Sequence, residues 1–221
     1  MKTRDNFQAV FFDMDGLFID SEPKWLEAET ELIAPFGYNW QPEDQVHCLG
    51  GPIKRLGDYM SEKSNFAQPS EFFSVGIVAL MARKLATSAP LMPGALELAE
   101  ALTDVGIPIA LVSASPRLIV DAVLQNLATH NFAFSISSDD VLRSKPFPDP
   151  YLKAALDIGV DITQAIIFED SLPGIAAAQA SGAFVVGVPH LVHVESGPRM
   201  HVIKSLRDID IDTLKSYYLT N

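Results

Sequence analysis

The chain has 221 residues, 48% of them hydrophobic, and a formal net charge of −12. That length suits one large α/β domain, or a domain with a smaller insert, with ample apolar content for a core. Acidic charge without a basic cluster argues against nucleic acid as a partner and leaves an anionic substrate in need of a local cation or metal.

In chain order, the first signal is the run Ala9, Val10, Phe11, Phe12, which enters Asp13-Met14-Asp15-Gly16. A short apolar run closed by a turn predicts a buried parallel strand over 8–12, and the carboxyl ends of such strands carry ligands in open α/β sheets. Residues 17–90 then hold no convincing strand. They read as helices over 21–36, 43–48, 52–63 and 69–88. In the first, Asp20 and Ser21 offer a cap, Pro23 fits the first turn, and Trp25, Leu26, Leu32, Ile33 and Phe36 form an apolar stripe. A block of this length exceeds an ordinary βα loop. It is expected to be a helical cap subdomain, spanning 17–90, inserted over the site. Residues 1–16 and 91–221 then make the α/β core.

From residue 94 onward, strands and helices alternate. A helix over 94–105 with Pro93 at its start precedes a strand over 107–113, and Pro116 opens a helix over 116–128. Strands follow over 133–137, 165–169 and 183–188. Helices over 149–158 and 173–181 flank the fourth strand, with Gly182 as the C-terminal cap of the second. This alternation implies a Rossmann-like, doubly wound parallel sheet.

No leader is visible: Lys2 and Arg4 are followed by Asp5, and Asp13 cuts the first apolar run short. The longest apolar stretch, Phe72 to Ala82, is too short to span a bilayer. The single cysteine, Cys48, has no intrachain partner and suggests a reducing compartment; the plain reading is a small buried residue. These features point to a soluble cytoplasmic protein with no membrane partner; a monomer or weak homo-oligomer is expected.

Four chemistry-bearing signals fall at strand ends or on adjacent loops: Asp13 and Asp15; Ser113 with Ala114; Lys145; and Glu169-Asp170. Each alone reads as a cap or a solvated side chain. Together they gather at one sheet edge, where chance caps would be scattered. A carboxylate such as Asp13 can attack phosphorus and form an acyl-phosphate. Asp15 is placed for general acid–base work. Glu169 and Asp170 offer hard oxygens suited to Mg²⁺. Ser113 and Lys145 supply donors and charge to a phosphoryl group. Other motifs fail: the Asp-x-Asp lacks the glycine and glutamate spacing of a calcium loop, no Walker loop or Gly-x-Gly-x-x-Gly occurs, and the histidines show no zinc spacing. His190 and His193 read as surface residues.

Taken together, Asp-Met-Asp-Gly (13–16), Val-Ser-Ala-Ser (112–115), Ser-Lys-Pro-Phe-Pro-Asp-Pro (144–150) and Phe-Glu-Asp-Ser-x-x-Gly (168–174) resemble the haloacid dehalogenase-like superfamily. Within it, the chain is similar to the β-phosphoglucomutase-like branch with a helical cap. The resemblance implies sheet order 5-4-1-2-3 and Mg²⁺ as cofactor. It implies Asp13 as nucleophile and metal ligand, and Asp15 as general acid/base and ligand through its carbonyl. It also implies Ser113 and Lys145 as phosphate binders, Asp170 as a metal ligand with Glu169 beside it, and a cis Lys145-Pro146 bond. Asp15 favours phosphate esters over halides. Trp25, where mutases of this branch tend to have histidine, and Pro116-Arg117, where they tend to have Lys-Asn, count against a mutase. The function expected is a phosphatase acting on a small phosphorylated metabolite, a sugar phosphate, through an aspartyl-phosphate. A phosphohexomutase is the alternative, and a non-catalytic phosphosugar-binding regulator a remote one. In the cap, Trp25, Gly50, Gly51, Lys54 and Arg55 are expected to face the substrate.

Overall fold

The computed structural model describes residues 6–127, 130–190 and 192–220. The readings at Lys2, Arg4 and Asp5, and the end of the helix expected over 116–128, lie outside these residues. The six strands are β1 (Ala9–Phe12), β2 (Ile109–Val112), β3 (Phe134–Ile136), β4 (Ala165–Glu169), β5 (Phe184–Gly187) and β6 (Met200–Val202). All pair in parallel, in the order β3-β2-β1-β4-β5-β6. The central placement of β1 and the order of its four neighbours match the expectation.

β6 extends the sheet beyond that expectation. Its three residues, Met-His-Val, form no apolar run, and two of them are only half-buried, so periodicity carried no signal there. A C-terminal helix was likewise unforeseen: α9 (Ile211–Thr220) covers one face of the sheet at β5 through Tyr218, whose ring meets Phe7 and Phe184 edge-on.

β1 shows why such a strand must be central. All four of its residues are buried. Val10 and Phe12 point into one apolar layer, and Ala9 and Phe11 into the other. A strand apolar on both faces is stable only with cover on both sides. On one face lie α5 (Ala95–Asp104), α6 (Arg117–Asn126) and α9; on the other lie α7 (Asp149–Ile158) and α8 (Leu172–Ser181).

Four helices separate β1 from α5: α1 (Glu22–Ile33), α2 (Pro42–Cys48), α3 (Ile53–Lys63) and α4 (Ser70–Thr87). The segments leading out and back run side by side. The Asp20 amide donates to Pro90 O at 2.7 Å, and the Met92 amide to Phe18 O at 2.9 Å. This pairing fixes the helical block beside the carboxyl end of β1. Among the described residues, no helix is long and apolar enough to cross a membrane.

Candidate active site

β1 hands its chain to Asp13, whose backbone amide is held by Phe168 O at 3.0 Å. The Asp13 carboxylate is buried and accepts a hydrogen bond from the Lys145 ammonium. Lys145 also donates to Val112 O at 2.8 Å and to Glu169 Oε1 at 2.6 Å. It is itself buried, and its bond to Pro146 is cis. The carboxyl ends of β1, β2 and β4 thus converge on one cation.

Glu169 is fully buried. Its Oε1 also accepts from Tyr151 Oη at 2.5 Å, and its Oε2 from the Asp170 amide at 3.2 Å and Ser171 Oγ at 3.4 Å. Tyr151, which the sequence did not single out, anchors this acid from α7. Ser171, not Glu169 or Asp170, caps α8, accepting from the Gly174 amide at 3.2 Å. Gly174 is required there, because a Cβ would run into the Glu169 carboxylate.

Asp15, two residues beyond Asp13, has a different environment. Its Oδ1 accepts from Ser21 Oγ at 2.8 Å and Trp25 Nε1 at 3.2 Å. Its Oδ2 accepts from Ser115 Oγ at 2.8 Å and Ser113 Oγ at 3.3 Å. Ser21 stands at the N-terminus of α1 as expected, but its hydroxyl serves Asp15 in place of the helix. The turn between the two aspartates and α1 needs Gly16, whose φ is +78° and where a Cβ would strike Asp170 Oδ2.

The acidic cluster can be tested for a cation. One carboxylate oxygen from each of Asp13, Glu169 and Asp170 lies within 4.8 Å of the others. Asp170 Oδ1 is buried with no hydrogen-bond partner among the described residues. A buried, unpartnered carboxylate oxygen is costly unless something pairs with it. Burial, above all, raises Asp13 to about 8 and Asp170 well above the usual carboxylate range; neighbouring carboxylates add to both and Lys145 opposes them. Three acids around one lysine leave uncompensated negative charge. A hard divalent cation fits this donor set.

Above these groups, a cleft of about 700 Å³, counting the space that opens to solvent, lies between the sheet edge and α1–α3. Asp13, Asp15, Ala114, Ser115, Lys145 and Asp170 line it from below, and Trp25, Gly50 and Gly51 from the helical block. Ser113 is fully buried and does not line it; its hydroxyl lies beneath Asp15. Arg55, expected toward the substrate, lies outside the cleft. Its guanidinium donates to His47 O at 3.1 Å and Leu49 O at 3.2 Å, the free carbonyls at the end of α2. Lys54 is also turned away, paired with Asp58 at 2.7 Å. Cys48 lines the cleft; burial pushes its thiol up to about 12, so it is not a ready nucleophile. His190 and His193 are exposed, as expected.

Among the polar groups that the helices bring to the cleft, the sequence reading missed Glu22 and Glu29 on α1 and Gln45 on α2. Glu29 is almost fully buried, yet falls four residues after Trp25 on the same helix face. A charged residue inside an apolar helical stripe was the available signal.

A central strand ending in paired aspartates, with a buried lysine, an acidic cluster and a helical insertion above them, defines a Rossmann-like α/β enzyme with a carboxylate centre. The chain belongs to the haloacid dehalogenase-like hydrolase family, whose model matches residues 10–188. It is 32% identical over 192 residues to hexitol phosphatase B of Escherichia coli (strain K12), covering 86% of each chain. It is 32% identical over 185 residues to validoxylamine A 7′-phosphate phosphatase of Streptomyces hygroscopicus subsp. limoneus, covering 82% of this chain and 85% of that one. In fold it is similar to a family IA, variant 3 hydrolase of Entamoeba histolytica, with a TM-score of 0.81 and 24% identity, covering 96% of this chain and 99% of that one.

Proposed function

We propose that the protein is a Mg²⁺-dependent phosphatase hydrolysing a small phosphorylated metabolite, a sugar or sugar-alcohol monophosphate, through an aspartyl-phosphate on Asp13. The observation that carries this reading is the division of labour between two neighbouring carboxylates in one cleft. Asp13 is gripped by a cation, and Asp15 by hydroxyls and an indole. The phosphatase names of the relatives support the same reading.

In this scheme an Asp13 oxygen attacks phosphorus, the bond from phosphorus to the ester oxygen breaks, and Asp15 gives its proton to the departing alkoxide. Asp15 then takes a proton from the water that attacks the phosphoaspartate. Lys145 balances negative charge at Asp13 and is held in place by Glu169 and Tyr151. Ser115 and Ser113 orient Asp15, and Ser115, which lines the cleft, is placed to donate to a phosphoryl oxygen. Asp13, Asp170 and the Asp15 carbonyl would hold Mg²⁺, with Glu169 at the edge of the cluster; when bound, the ion supplies charge neutralisation to the phosphoryl oxygens. Residues 17–90 serve as the cap, excluding bulk water from the core of 1–16 and 91–221. The lone, buried Cys48 is in keeping with a reducing, cytoplasmic setting.

The test is Asp13→Asn assayed with a panel of sugar and sugar-alcohol phosphates and Mg²⁺. Free phosphate from the wild type, and a loss of at least about a thousandfold in the variant, supports the nucleophile. Conversion to an isomeric phosphate without free phosphate would favour the mutase alternative. No turnover of any ester would favour a silent binding protein.

A further inference from the structure

The helical side of the cleft carries acid and amide groups that the phosphoryl chemistry does not use. Glu22, Trp25 and Glu29 fall at i, i+3 and i+7 of α1 and so share one face of that helix. All three line the cleft, and Gln45 of α2 lines it beside them. Glu29 is 3% exposed. Its Oε2 accepts from Trp40 Nε1 at 2.8 Å, and its Oε1 has no hydrogen-bond partner among the described residues. Gln45 donates to Glu22 Oε2 at 2.9 Å and to Glu22 O at 2.8 Å, leaving its own side-chain oxygen as an acceptor.

The charges of the cleft are lopsided. Asp13, Asp15, Glu22, Glu29 and Asp170 line it, against Lys145 as the single cation among its described lining residues. Lys145 is already shared between Asp13 and Glu169. Lys54 and Arg55, the nearby cap cations, are directed elsewhere. A second phosphate or a carboxylate on the substrate would therefore enter a low-dielectric space with acids on its walls and no countercharge. Hydroxyl groups, by contrast, both donate and accept, and match the free oxygens of Glu29 and Gln45.

We infer that Glu29, with Glu22 and Gln45, is the specificity-determining surface for the leaving group, selecting a neutral polyhydroxylated body and rejecting any substrate with a second anionic group. This inference rests on the phosphatase reading and narrows its substrate class to the monophosphates of neutral polyols and sugars. Trp25 separates the two halves of the surface and ties it to Asp15, so leaving-group binding and the acid–base residue share one helix. Burial raises Glu22 to about 7 and Glu29 to about 8, so their repulsion of a second anion is strongest above pH 8, while at lower pH the protonated carboxyls donate to hydroxyls.

The experiment compares initial rates of phosphate release from glucitol phosphate, from phosphogluconate, which has the same carbon skeleton ending in a carboxylate, and from p-nitrophenyl phosphate, which has no polyol. The wild type is expected to favour glucitol phosphate over phosphogluconate by about a hundredfold or more in kcat/KM, the size of discrimination a polar site achieves against an unpaired charge. Assayed at about pH 9, where Glu29 is ionised, Glu29→Gln should shrink that ratio by about tenfold, chiefly through KM. Glu22→Gln should shrink it in the same direction and serves if the first variant is unstable. Equal kcat/KM for the two six-carbon substrates, with p-nitrophenyl phosphate still hydrolysed, overturns the inference and leaves the phosphatase reading standing. A discrimination ratio unchanged in both folded variants also overturns it. No release from any of the three esters overturns both.

Discussion

The indole Nε1 of Trp25, on α1, donates to Asp15 Oδ1 at 3.2 Å, so a helix of the block between β1 and α5 reaches the loop that follows β1. The acid–base candidate is therefore positioned by a residue outside its own loop. Trp25→Phe keeps most of the ring and deletes this donor. A hydrogen bond to a charged group contributes about 1.5–3 kcal/mol, so kcat/KM should fall by about tenfold or more. An unchanged kcat/KM in a variant that melts with the wild type would show that the indole does not position Asp15 for the reaction.

Gly174→Ala tests the support beneath Lys145. The added Cβ meets the Glu169 carboxylate, a charged and fully buried group. Glu169 must move, and with it the hydrogen bonds from Lys145 and Tyr151. Overpacking of this kind costs about 1–3 kcal/mol, or about 2–12 °C in Tm for a chain of this size. Thermal melting and kcat should both fall. A variant that melts with the wild type would mean the helix shifts to accommodate the methyl group.

How these residues were legible follows from where they sit. Asp13, Ser113 and Glu169 close or follow strands whose residues are all buried, so each apolar run marked its own end. Lys145 sits in a loop with no periodic signal and was found only through the surrounding Ser-Lys-Pro-Phe-Pro pattern. Tyr151 read as an ordinary helix residue, because nothing local shows that its hydroxyl reaches Glu169 on a neighbouring strand. Arg55 was expected among the substrate-facing residues of the cap. Its direction was set by unpaired carbonyls at the end of α2, which depend on how two helices meet. β6 was invisible because three residues against a neighbouring strand suffice to make it.

Removal of divalent metal should abolish activity, and added Mg²⁺ should restore it. Asp170→Asn should raise the Mg²⁺ concentration for half-maximal activity by about tenfold or more, since one hard anionic ligand becomes neutral. Stability should move the other way. Asp170 is buried beside Asp13 and Glu169, and those neighbours oppose its ionisation. In EDTA at pH 8 the variant should therefore melt above the wild type. Melting curves with and without Mg²⁺ check this, and a variant that melts lower in EDTA would show that the carboxylates do not repel one another there.

Glu29 makes a prediction about pH. Burial raises its pKa from 4.5 to about 8, with Glu22 and Asp44 adding to the shift and the hydrogen bond from Trp40 opposing it. The native state therefore prefers the protonated form. The stability contributed by that preference is fully present below pH 4.5 and is lost as pH rises through about 8. Glu29→Gln cannot ionise, and its amide oxygen can still accept from Trp40. The difference in Tm between variant and wild type should be near zero at pH 5 and should grow toward pH 8.5. Discounted for partial solvent contact, the gain is about 1–2 kcal/mol, or ~3–6 °C. Glu22 shifts in the same direction in both proteins and drops out of the comparison to first order. A Tm difference that stays constant across this range would show that Glu29 is charged throughout it. A growing one would mark Glu29 as a carboxyl kept at a cost in stability, as expected of a side chain retained for the ligand it meets.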